Sequence, residues 1–86
     1  MAEALEESTN WWAQELALVE GAALRIEGLE AVARGAFVRH RESLGPEGGA
    51  ALLRSHELAT WLQARRDTDA AWGRWYEVMV ARPPEG

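Results

Sequence analysis

From Trp11 to Ser43 the chain carries no proline, and its apolar residues recur at helical spacing. One row of positions seven apart holds Trp12, Val19, Ile26, Ala33 and His40. The row four residues further on holds Leu16, Ala23, Glu30, Phe37 and Leu44. Two such rows predict an ordinary packing seam for one helix against one neighbour. The apolar surface does not stop there. Ala17, Leu24, Ala31 and Val38 form a third row. Trp11, Leu18 and Val32 lie between rows, and Ala22, Leu29 and Ala36 flank the other side. Only Ala13, Glu20, Glu27, Arg34 and Arg41 make a consistently charged row. A helix meeting one partner needs an apolar stripe of only ~100°. More than half the circumference is apolar here, so the pattern predicts contact from several sides. Ser8, Thr9 and Asn10 are successive candidates for the N-cap.

Gly45-Pro46-Glu47-Gly48-Gly49 is the densest cluster of turn residues and lies near the middle of the chain. Pro46 disfavours helix at Gly45, and Gly45 suits a left-handed helix cap. After this bend, Ala50 to Arg66 reads as helix, with Leu52, Leu53, Leu58, Trp61 and Leu62 on its apolar side. Gln63 to Asp69 is polar, and Ala70 to Ala81 is apolar again through Trp72, Trp75, Tyr76, Val78 and Met79. Pro83-Pro84 ends it. The fold class expected is all-α. It is a helical hairpin of two long antiparallel helices, the second either continuous or broken near 66–69 to give three, with a bundle completed by dimerisation or by a partner. The 86 residues make one small domain, with 1–8 and 83–86 expected as flexible tails.

The hairpin with Pro and Gly at its bend, followed by Ala-Leu-Leu, resembles secretion-needle subunits and their small chaperones. The resemblance covers the bend region and assigns no residue a role.

Composition narrows the chemistry. The net charge is −5, the chain has no cysteine, and its nine basic residues are all arginine. The acidic balance disfavours nucleic acid as a partner. No apolar run reaches ~18 residues, so no membrane span is expected, and a cytoplasmic location is the default. His40 and His56 lie on opposite arms without a metal-ligand spacing, so neither metal nor cofactor is expected. No nucleophile and base stand at diagnostic spacing, and the expectation is a protein that is not an enzyme. Glu30 falls in an apolar row near Arg25, where an exposed pair is favoured over a buried one. Gly21, Gly28 and Gly35 recur seven apart and fit either a glycine-lined groove or chance.

The resulting expectation is a small acidic protein–protein interaction module: adaptor, assembly chaperone or inhibitory protein. It would bind another protein or itself as a homodimer through Trp11, Trp12, Leu18, Leu24, Val32, Val38, Trp72 and Trp75. Of the pair Trp11 and Trp12, at least one is a candidate anchor. One alternative is a dimeric DNA-binding regulator with phosphate contacts from Arg34, Arg39, Arg41, Arg65 and Arg66. Another is a structural subunit of a larger helical assembly.

Overall fold

The computed structural model describes the backbone of residues 2–84 and the side chains of residues 10–84. Helix α1 spans Ala2–Leu44, α2 spans Gly49–Leu53 and α3 spans His56–Val80. The long helices α1 and α3 run antiparallel and pack on each other along a particle 68 × 15 × 15 Å. This is the hairpin that the Pro-Gly bend implies.

Helix α1 passes through Ser8, Thr9 and Asn10 without stopping. The residues before them, Ala2 to Glu7, are strong helix formers, and acids near the start complement the helix dipole. Backbone helix therefore covers part of the segment expected as an N-terminal tail. Pro83 and Pro84 lie outside regular structure, and Glu85 and Gly86 are outside the described residues.

The bend is built as its residues suggest. Gly45 sits at φ +72°, in the left-handed region that a side chain resists. The Gly48 N–H donates to the Gly45 carbonyl at 3.2 Å and closes a tight turn over Pro46-Glu47. Gly48 then caps α2.

The second arm is broken, but not at 66–69. The interruption lies at Arg54-Ser55. Ser55 donates its hydroxyl to the Leu52 carbonyl at 2.7 Å and accepts from the Leu58 N–H at 3.1 Å. It thus closes α2 and caps α3 with one side chain. Glu57 adds a carboxylate to the first turn of α3. Across 66–69 the polar residues satisfy one another along a continuous helix. Gln63 donates to Asp67 at 2.9 Å, Arg66 donates to Gln63 at 2.9 Å, and Thr68 donates to the Ala64 carbonyl at 3.0 Å. Side chains that bond within the helix surface do not need to cap a new one.

The core is thin. Among the described residues only Ala23 and Val78 are buried hydrophobics, and no large side chain is fully enclosed. The chain exposes 6413 Å², against roughly 5,000 Å² for a compact monomer of its mass. Its radius of gyration is 19.6 Å, where a globular domain of this length has about 12 Å.

Candidate protein-interaction surface

The two rows expected to form the seam are the rows that α3 covers. Ala23 and Glu30 are buried, and Trp12, Leu16, Val19, Ile26, Ala33, Phe37, His40 and Leu44 are half-buried. The long-range contacts run down this line in register. The Trp12 indole N–H donates to the Val78 carbonyl at 2.7 Å, and Arg82 stands 5.4 Å from the Trp12 ring centroid. Arg74 meets Glu15 at 3.5 Å. The Trp61 indole N–H reaches a Glu30 carboxylate oxygen at 3.4 Å, and Phe37 packs on Trp61 with ring centroids 5.0 Å apart. His40 faces Glu57 at 3.4 Å.

Glu30 is thus not half of an exposed pair with Arg25. It is 8% accessible and held under the Trp61 indole, whereas Arg25 is exposed. A buried carboxylate needs a donor, and the donor comes from α3. The heptad glycines do not line a groove within the chain. A Cβ at Gly28 would meet nothing within 4 Å, and at Gly21 and Gly35 only the side chains of Arg25 and Arg39 lie near.

Outside the seam both flanks of α1 stand open. On one side, Trp11, Leu18, Leu29 and Val32 are exposed, Leu29 at 67% and Val32 at 68%. Beside them a shallow groove runs between α1 and α3. It comprises two adjoining hollows of about 420 and 450 Å³ that share Leu29, Ala64 and Asp67. The α3 wall alternates the small Ala59, Ala64, Ala70 and Ala71 with the polar His56, Thr60, Gln63 and Asp67, so Leu29 is the large apolar ridge of this groove. On the other flank the exposed charged row Glu20, Glu27 and Arg34 of α1 lies next to α3, and Leu24 with the exposed Ala17 and Ala31 stands beyond it, while Leu62, Tyr76 and Val80 of α3 are exposed. Exposed large apolar side chains on both long helices of so small a hairpin are the kind of surface that marks an interaction site.

The residues expected at an interface divide accordingly. Trp11, Leu18, Leu24 and Val32 are exposed. Trp12, Val38, Trp72 and Trp75 are half-buried. Trp12 fastens the C-terminal end of α3 to α1, which leaves Trp11 as the outward member of the pair. Trp72 and Trp75 meet edge to face at 5.7 Å. The Trp75 indole N–H is buried with no acceptor among the described residues. Sequence reasoning did not place Leu29, Leu62, Tyr76 or Val80 at the surface. Leu29 was legible as a flank residue. The α3 residues were not, because the polar stretch between Leu62 and Ala70 obscured which side of that helix is continuous.

The five arginines of the phosphate-binding alternative are all exposed. Arg34 and Arg41 share a helical row, but Arg39 stands about 140° around α1 from Arg34, at ~100° per residue. Among the described residues no three His, Asp or Glu side chains converge, and no helix is long and apolar enough to cross a membrane. Comparison with protein-family models, with curated proteins and with solved structures finds no match.

Proposed function

We propose that this chain is a protein–protein interaction module, an adaptor that acts by binding and not by catalysis. The observation that carries the reading is the open flank of α1, where Leu18, Leu29 and Val32 are exposed beside the groove. A helix with apolar residues at i, i+3 or i+4, and i+7 fits such a surface, its side chains straddling the Leu29 ridge and resting on the alanines of α3. Bundle completion of this kind covers the apolar circumference that the seam leaves over. The acidic composition and the absence of a membrane-spanning helix among the described residues fit a partner met in the cytoplasm.

The test is a double substitution on the flank. Leu29→Asp with Val32→Asp places two charges where the partner's apolar surface would lie. Both positions are exposed, so circular dichroism should show an unchanged helix content. Binding to a partner identified by crosslinking and then reconstituted from purified components should weaken at least about thirtyfold, the loss typical of a hot-spot pair. Undiminished binding by a folded double variant rules out this flank as the contact surface.

A further inference from the structure

The opposite flank, centred on Leu24, points to a specific occupant: we infer that it binds a second copy of this chain, in a two-fold dimer with the two bends at opposite ends. This rests on the reading of the hairpin as an interaction module and assigns one of its faces.

The first argument is the symmetry of the α3 stripe. Leu58, Leu62, Arg65, Asp69, Trp72 and Tyr76 follow one another at alternating steps of four and three, so they share one side of the helix. A two-fold axis at residue 67 exchanges 65 with 69, 62 with 72 and 58 with 76. It therefore sets Arg65 against the partner copy's Asp69, and Leu62 and Leu58 against Trp72 and Tyr76. Read from either end, the stripe is apolar, charged, charged, apolar, with the charges exchanged. A two-fold interface requires that self-complementarity.

The second argument is that α1 has the same centre. The contacts from Trp12 to Val78, Glu15 to Arg74 and Glu30 to Trp61 place residue 24 of α1 level with residues 65–67 of α3. Leu24 then falls on the axis itself. The same rotation lays Ala17 over Ala31 and brings Glu20 and Glu27 level with the partner copy's Glu27 and Glu20, so the two copies of α1 meet only at Leu24 and its alanines and the α3 stripe carries the contact. Leu24 also lies next to the midpoint of α1, so this axis gives nearly full overlap of the two hairpins.

Charge selects the opposed arrangement. Residues 30–66, the half nearer the bend, hold six arginines and four glutamates, a net +2. The open half, 1–29 with 67–86, holds three arginines and ten acidic residues, a net −7. Bends at opposite ends set +2 against −7, whereas bends at the same end set −7 against −7. Arg65 and Asp69 are exposed and make no ion pair or hydrogen bond among the described residues. Asp67 and Arg66 on the neighbouring side are already bonded to Gln63. Area is sufficient as well. A face 68 Å long and 15 Å wide projects about 1,000 Å², above the ~800 Å² per partner of a standard stable interface.

Sedimentation equilibrium on the full chain tests this with three variants. Arg65→Asp alone and Asp69→Arg alone each set like charges across the axis twice, and each should weaken dimerisation about tenfold or more. The double exchange Arg65→Asp with Asp69→Arg restores opposite charges and should recover the wild-type constant to within about threefold. Because the chain has no cysteine, Leu24→Cys should also give a crosslinked dimer with a short bis-maleimide, and Leu29→Cys should not. A monomer at every concentration, additive losses in the double exchange, or crosslinking at Leu29→Cys in place of Leu24→Cys would each overturn the inference. The adaptor reading survives all three, since it fails only if the Leu29/Val32 variant keeps its partner.

Discussion

Trp61→Ala should lower the stability of the protein by about 3 kcal/mol, the low end of the range for removing a large aromatic from a packed site. Trp61 is only half-buried, yet it ties together the two features that stabilise the middle of the seam. Its ring packs on Phe37 at 5.0 Å, and its indole N–H is the donor for the buried Glu30. Truncation removes the ring contact and leaves a carboxylate at 8% accessibility without that donor, which adds a desolvation cost. Trp61→Phe separates the two terms. It keeps a ring against Phe37 and loses only the N–H, and at 3.4 Å that bond is long. The expected loss is about 1 kcal/mol. Thermal melts at one fixed concentration read both: a fall of roughly 15 °C for alanine and of about 5 °C for phenylalanine. Equal falls would show that the indole–carboxylate contact, and not ring packing, holds the centre of the hairpin.

Gly48→Ala should destabilise by about 2 kcal/mol, in the range for forcing a methyl group into a packed site. A Cβ at Gly48 would lie 2.5 Å from the Leu44 Cβ and 3.3 Å from the Leu44 carbonyl oxygen. Neither is the free end of a flexible side chain, so the bend itself must open. Gly49→Ala is the matched control. Nothing lies within 4 Å of a Cβ there, and the position is the first of α2. Alanine favours helix over glycine, so this change should be neutral or slightly stabilising. Denaturant melts of the two variants side by side give the comparison, and a Gly48→Ala chain as stable as wild type would contradict the close approach at the bend.

The bend and the seam were legible because each follows from one local rule. Pro46 after Gly45 terminates a helix whatever surrounds it, and the two rows through Ala23 and Ile26 are the centre of the only wide apolar arc on α1. The surplus of apolar residues beyond that arc was legible for the same reason, and Leu18, Leu24 and Val32 are exposed as it implies. What escaped depends on partners far away in the chain or on one hydroxyl. Ser55 breaks the second arm with no glycine or proline beside it, and its signal is only a serine two residues before Glu57. Glu30 reads as a charge that should face water, because its donor, Trp61, is 31 residues distant. Trp11 and Trp12 are adjacent and equally apolar. The row through Val19 and Ile26 already selects Trp12 as the inward one; what escaped is the acceptor for its indole, the Val78 carbonyl 66 residues away. The α3 stripe from Leu58 to Tyr76 was hidden by its own charged centre, which reads in sequence as a break between helices.

The claim on which the rest depends is that one copy of this chain cannot cover its own apolar flanks. Sedimentation and small-angle scattering over a wide concentration series measure this directly. The account predicts reversible growth from 9.5 kDa toward twice that mass, with a melting temperature that rises with concentration. A particle that stays at 9.5 kDa, with a radius of gyration near the ~12 Å of a globular domain and an unchanging melting temperature, would contradict it.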